Sequence, residues 1–337
     1  VGPITVSGVP IQTGSKVMML DGQSGRMVWS RDGFNRQVEF ATLDSRLAIL
    51  TYHADRTDVE IVDCRDGTTL AERKVPGGWT HWYSFNGLSV DFVQRFDGSG
   101  AGFEIPHTLR IWNPLDGEEL LRLKLAAGAR AEQCSQRHIA VLEPDGKMHL
   151  IDLADPSKAI HREHQVPVLG VLDTISLQKV GEQLVLLSNA SGDRETSRDP
   201  LLFARGDSLR DRVPINGFVY GIDRDTLDLS WDRPGELYSF AFPTNQPRNS
   251  PFMALYRVRK LESTAELLLI DTRTGKLAYS SGAFLTRTPS GFTMTLNPFN
   301  QSLAIELGAR LFKVEFTRMG RPPQPIVVSS LVHPKGS

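Results

Sequence analysis

Apolar and polar residues alternate along most of this chain in short runs, and the runs recur in the same company. The stretch VMMLDGQSGRMVW, from Val17 to Trp29, returns as VEIVDCRDGTTLA, LRIWNPLDGEELL, MHLIDLADPSKAI, VYGIDRDTLDLSW and LLLIDTRTGKLAY. Aligned on the residue that opens each turn (Asp21, Asp63, Asn113, Asp152, Asp223, Asp271), the position four before it is always apolar: Val17, Val59, Leu109, Met148, Val219, Leu267. So is the position one before it: Leu20, Val62, Trp112, Ile151, Ile222, Ile270. The column three before it loosens to Met18, Glu60, Arg110, His149, Tyr220 and Leu268. A two-residue period with extra apolar positions near a turn predicts a strand buried on both faces.

The turn chemistry agrees. A carboxylate or amide at the turn start accepts hydrogen bonds from backbone N–H groups inside the turn. Four residues on, Gly25, Gly67, Gly117 and Gly275 suit a backbone position with positive φ. Pro156 and Leu227 stand there in the fourth and fifth copies and predict turns of a different shape. Beyond the turn come Trp29, Ala71, Leu121, Ile160, Trp231 and Tyr279, so each copy is a hairpin whose second strand packs on a neighbour.

Further strand-like runs precede each hairpin, such as GPITV and VPIQTG before the first, and VEFAT and LAILTYH before the second. A last set, FTMTLN, SLAIEL, RLFKVEF and PIVVSS, keeps the four-strand rhythm without the turn signature. The pattern predicts seven units of four antiparallel strands, at 1–31, 36–75, 80–125, 130–165, 168–233, 236–281 and 288–332. Helical periodicity is absent. Such units cannot each bury both faces alone but can when stacked radially, which predicts an all-β β-propeller forming a single domain over 1–337.

LDGQSGRMVW, IDTRTGKLAY and IDRDTLDLSW resemble the pyrroloquinoline-quinone (PQQ)-type propeller repeat, Leu-Asp-x-x-Thr-Gly-x-x-x-Trp at the third-to-fourth strand hairpin. The resemblance runs over nearly the whole chain, strongest in the first and sixth copies, poor in the fourth and without signature in the seventh. It implies a quinoprotein-like fold and says little about chemistry, since the repeat serves both quinoprotein dehydrogenases and non-catalytic propellers such as the outer-membrane assembly lipoprotein. Enzymes of the family pair adjacent cysteines near the quinone and bind calcium through acidic residues. This chain has only Cys64 and Cys134, far apart and without metal-ligand spacing. The resemblance therefore implies the non-catalytic branch, with no cofactor expected, a protein partner, and a cell-envelope or periplasmic setting. The alternative is a PQQ- and calcium-dependent oxidoreductase acting on alcohols or sugars.

Composition narrows the partners further. Lys plus Arg number 38 against 39 Asp plus Glu, so the formal net charge is −1 and there is no electrostatic footprint for nucleic acid. No apolar run approaches the ~18 residues that span a bilayer.

In a unit of strands A to D, the A–B and C–D connections lie at one end and the B–C and D–A connections at the other. The C–D turns are short and uniform. The B–C connections vary, at 53–58, 95–107, 259–264 and, longest, 188–216, and variable loops on a rigid scaffold are where binding resides. The B–C/D–A face is thus the expected binding face for a protein or polysaccharide partner. Candidate contacts on it are Arg194, Arg198 and Arg205 of the longest connection, where arginines intersperse with acids, and Trp79, His81 and Trp82 of GGWTHWY. The structural alternative for the former is a solvated excursion with local ion pairs, and for the latter an aromatic seal within the core. His161 and His164, three apart on a strand, point to opposite faces and make a poor metal pair. No nucleophile elbow, phosphate-binding glycine loop or zinc signature is present, and no catalytic, cofactor-binding or metal residue is nominated.

Overall fold

A computed structural model describes the chain except residues 1, 3, 4, 6, 95–106, 192–211, 248, 260, 287–290, 309, 317–325 and 333–337. Among the described residues there is no helix, and the strands form successive antiparallel sheets. The first sheet holds β1 (Val9–Thr13), β2 (Lys16–Leu20) and β3 (Met27–Arg31). The second holds β4 (Val38–Leu43), β5 (Arg46–Tyr52), β6 (Arg56–Asp63) and β7 (Thr69–Pro76). The third holds β8 (Thr80–Phe85), β9 (Leu88–Gln94), β10 (His107–Trp112) and β11 (Glu119–Leu125). The fourth holds β12 (Arg130–Cys134), β13 (His138–Leu142), β14 (Lys147–Asp155) and β15 (Lys158–Gln165). An eight-stranded sheet follows, of β16 (Val171–Val180), β17 (Gln183–Ser191), β18 (Arg212–Asp223), β19 (Gly235–Pro243), β20 (Phe252–Arg259), β21 (Thr264–Asp271), β22 (Leu277–Ser280) and β23 (Phe284–Leu285). The last holds β24 (Phe292–Asn297), β25 (Ser302–Leu307), β26 (Arg310–Glu315) and β27 (Ile326–Val332).

The repeated turns form as their chemistry dictates. The N–H of Gly25, Gly67, Gly117 and Gly275 donates to the carbonyl of the turn-opening residue at 2.8–2.9 Å, and all four glycines have positive φ. Side-chain oxygens of Asp21, Asp63, Asn113 and Asp271 accept further N–H groups within the turn. The fifth copy departs from expectation and keeps the same shape. Leu227 takes φ 61°, and its N–H bonds the Asp223 carbonyl at 2.9 Å. Its side chain is buried, and that burial offsets the ~1–2 kcal/mol a left-handed residue costs. The fourth turn does differ. The Asp152 side chain still accepts the Ala154 N–H, at 2.9 Å, beside a two-bonded pair with Arg137, but the strand runs on to Asp155 and the chain reverses there, with Ser157 N–H on Asp155.

Glycine is also required at two of these turns by what lies on it. Trp29 donates its indole N–H to the Cys64 carbonyl at 2.9 Å, and a Cβ at Gly67 would lie 2.8 Å from its ring. Trp231 repeats the arrangement, bonding the Thr272 carbonyl at 2.9 Å and covering Gly275 at 2.5 Å. At Gly117 the residue from the preceding sheet is Arg73, whose guanidinium takes the place a tryptophan has elsewhere.

The chain divides into two compact units, one of residues 1–129, 135–144 and 149–163, the other of 130–134, 145–148 and 164–337. Within the first, one core packs Val17, Met19 and Trp29 against Phe40, Leu47 and Ile49, so the first two sheets meet face to face. A second packs Leu50, Val59 and Ile61 against Trp112 and Leu115 of the third sheet. Within the other unit, Val185, Val219 and Trp231 pack on Met253 and Leu268, and Leu267 and Leu269 on Ile305 and Phe312. The third strands are buried on both faces as expected, most fully β10.

One pairing differs from the four-strand rhythm. β19, the expected first strand of the sixth unit, pairs with β18 from Arg212↔Pro243 to Val219↔Gly235 and meets β20 at Ala241↔Tyr256. After the Ile222–Leu229 bridge, the segment around Trp231 leaves the edge of β18, and β19 takes the vacated edge. The two groups of strands thereby join as one sheet.

Candidate functional site

The loosened column of the repeat is where charge enters the interior. Arg110 occupies it on β10 and is 2% exposed, a position that demands a partner for the guanidinium. The adjacent β9 supplies Asp91, fully buried, directly across from Arg110 in the strand register. Asp91 Oδ2 accepts from Arg110 at 2.5 Å and from the Trp112 indole at 2.7 Å. Its Oδ1 accepts from Tyr52 and Ser89, both at 2.8 Å, and lies 3.3 Å from His81 Nδ1. Burial alone would raise the Asp91 carboxyl, but the donors and the nearby positive charge outweigh it and hold it below the ordinary carboxylate value. Burial, with Asp91 beside it, pushes the Tyr52 phenol well up, so it stays a donor. The Arg110 guanidinium is sandwiched by indoles, 4.0 Å from the Trp79 ring and 4.6 Å from Trp112.

This network underlies an open depression of about 430 Å³ lined by Arg36, Gln37, Glu39, Tyr52, His53, Ala54, Gly78, Trp79, Thr80 and His81. The lining comes from the β3–β4, β5–β6 and β7–β8 connections and the strand ends beside them. In the A-to-D scheme these are B–C and D–A connections. A second depression of about 580 Å³, lined by Gln12, Gly14, Ser15, Phe34, Asn35, Arg36 and Gln37, adjoins it through Arg36 and Gln37. The Gln12 side chain stitches the two together, donating to the Arg36 carbonyl at 2.6 Å and accepting from Val38 N–H at 2.9 Å. His53 Nε2 lies 3.0 Å from Asp58 Oδ2.

The residues singled out from sequence part company here. His81 lines the depression and, like Tyr52, joins the buried network to the surface. Trp79 also lines it, but it is 8% exposed and its ring is engaged by Arg110. Trp82 is turned into the interior, 3% exposed, edge-on to Tyr83. Arg194, Arg198 and Arg205 lie outside the described residues. Asp91, Arg110, Tyr52 and Glu39 were not foreseen. The signal for the first two was present, because a charge on a strand buried on both faces needs an opposite charge on the neighbouring strand.

A second buried cluster follows the same rule. His149, in the same column, bonds Glu143 through Nε2 at 2.8 Å and faces His161 through Nδ1 at 3.0 Å. Burial, with His149 beside it, lowers the His161 pKa. His164 points away and donates to the Leu227 carbonyl at 2.8 Å, as the strand period requires. Among the described residues no group of three or more His, Cys, Asp or Glu side chains is placed to hold a metal ion. Both cysteines are free thiols.

No known protein family matches the chain, and no curated protein matches it. Among solved structures it is similar to BamB from Moraxella catarrhalis, at 12% identity over 98% of this chain and 84% of that one, TM-score 0.37. It is similar to apo AztD from Citrobacter koseri at 11% identity, over 98% and 89%, TM-score 0.37. It is also similar to the dihydro-heme d1 dehydrogenase NirN, at 14% identity, over 98% and 68%, TM-score 0.34.

Proposed function

We propose that the sheets are blades of a PQQ-type β-propeller of about seven, and that the chain is a non-catalytic binding module whose B–C/D–A face takes a protein partner. The face-to-face cores between consecutive sheets and the repeated tryptophan-on-glycine turn support the architecture. The observation that carries the function is the pair of adjoining depressions sharing Arg36 and Gln37. Together they make a polar groove formed by B–C and D–A connections, over a buried network that underlies its floor. An extended polypeptide segment suits a groove of this form better than a small substrate suits it, because small-molecule sites are enclosed and largely apolar. No cofactor is required on this reading, and the groove is where the partner contacts the chain.

A photo-crosslinking residue placed at Gln37 or Ala54 in cells of the source organism tests this. One protein is expected to crosslink from both positions, and neither Asp66 nor Asp116, in the turns at the other end of the sheets, is expected to capture it. Equal capture from both ends, or none from the groove, refutes the reading.

A further inference from the structure

The hydrogens of the buried network determine what the floor of the groove offers. Tyr52 and Ser89 each spend their only hydroxyl hydrogen on Asp91 Oδ1. Their oxygens and the Asp91 carboxylate therefore face His81 Nδ1 as acceptors, at 3.2, 3.1 and 3.3 Å. In the neutral imidazole Nδ1 therefore carries the ring hydrogen, and Nε2 keeps a lone pair. That lone pair faces Glu39 Oε2 at 3.8 Å, and the nearest other group is Ser84 Oγ at a long 3.5 Å.

Two acceptors thus confront each other across a gap at the floor of the depression. The Glu39 carboxylate is itself under-served. Its other oxygen receives only the Gln37 amide at 3.4 Å, and Arg36 makes no ion pair among the described residues. Asp91 is neutralised by Arg110 beneath, so the floor keeps the charge of Glu39.

We propose that Glu39 Oε2 and His81 Nε2 form a receptor for one lysine or arginine side chain of the polypeptide partner; this rests on the binding reading above. Two charge-assisted N–H···O bonds of about 2.8 Å from one nitrogen, whose N–H directions diverge by about 110–120°, span acceptors about 4.6–4.9 Å apart when straight and about 4 Å apart when each bends inward. The 3.8 Å separation lies near the bent end of that range, and the partly exposed Glu39 side chain is free to adjust it. A cation entering there satisfies both lone pairs and pairs with a half-buried carboxylate, 31% exposed, whereas an acidic side chain meets repulsion from both. Tyr52 at the wall is placed to cover the aliphatic stem that leads to the charge. Asp91, Ser89 and Tyr52 act as positioning residues, holding the tautomer that makes Nε2 an acceptor.

The test is selection of peptides from a positional-scanning library of acetylated, amidated peptides on the purified chain, together with nitrogen NMR of the His81 ring. The wild type is expected to enrich Lys or Arg at one fixed position, with hydrogen on Nδ1. Glu39→Gln, checked for folding by its melt, is expected to lose that enrichment tenfold or more, and Glu39→Lys to turn it toward acidic residues. Asp66→Asn, in a distant turn, is expected to retain the wild-type preference. Hydrogen on Nε2, or basic enrichment that survives Glu39→Gln, overturns the receptor. Enriched peptides without a fixed basic residue overturn the receptor and leave the groove reading standing, and no enrichment at all removes both.

Discussion

At the scale of single residues, glycine serves two purposes in the repeated turn, and substitution separates them. Gly25 has φ 67° with open space where a Cβ would go, while Gly67 has φ 73° and the Trp29 ring in that space. Gly25→Ala is expected to cost about 1 kcal/mol for the left-handed backbone alone. Gly67→Ala is expected to cost at least 1 kcal/mol or so beyond that, because the ring must move. Urea melts of the two variants side by side give the difference, and equal losses contradict the stacking. Trp29→Ala and Trp231→Ala are each expected to cost roughly 3–5 kcal/mol, since both rings are buried between sheets. Losses below about 1 kcal/mol would contradict that packing. Asp91→Ala strands the buried Arg110 charge and is expected to cost about 3–5 kcal/mol in the same assay. The double variant with Arg110→Met should recover a large part of that loss.

At the scale of elements, the hairpin turns make stability depend on pH. Hydrogen bonds from Ser24 hold the Asp21 carboxyl below its ordinary value, and those from Thr226 do so for Asp223. The Arg65 side chain and N–H hold Asp63 down to about 2. A carboxyl whose folded pKa is depressed stabilises the fold fully above its unfolded value of about 3.9 and loses that contribution as pH falls through the folded value. Acid titration is therefore expected to weaken the turns between about pH 4 and pH 2. Asp63→Asn should keep the turn, as Asn113 does naturally, while flattening part of that dependence. Melting temperatures recorded across this range check both statements. The longest connection can be tested in the same way. β17 and β18 are paired as far as Asn189↔Asn216, and Asn216 bonds the Ala190 carbonyl at 2.8 Å, so the strands close the base of the loop themselves. Replacing 192–211 by a short glycine–serine link is expected to leave the melting temperature nearly unchanged, and a collapse of folding would show that the segment is structural.

At the scale of the whole molecule, the two readings of the repeat divide on one measurement. If the chain is a binding module, pyrroloquinoline quinone with calcium leaves its melt unshifted. A ligand at a hundred times its dissociation constant adds about 2.7 kcal/mol to the native state, so a shift that needs both additions would restore the oxidoreductase. Strand identity, strand order within most hairpins and the shape of the turns were legible in the sequence, because they depend on side-chain alternation and on what an aspartate and a glycine do within five residues. Leu227 shows the limit of such local reasoning, since burial of its side chain offsets its backbone strain. Alternation also fixes which face of a strand a residue occupies but not what meets it there. His81 was visible as a candidate from sequence, yet its tautomer is set by Tyr52, Ser89 and Asp91, residues on other strands. Trp82 looked equally available from sequence, and packing turned it inward. Alternation and turn chemistry dictate a run of antiparallel hairpins, and the charges of Asp91 and Arg110 on neighbouring strands require each other. That β19 joins two groups of strands, and that Glu39 and His81 face each other across the floor of a depression, came from packing between segments. Those outcomes depend on contacts between segments distant in the chain, where the deciding free energy is the desolvation and pairing of polar groups rather than local propensity.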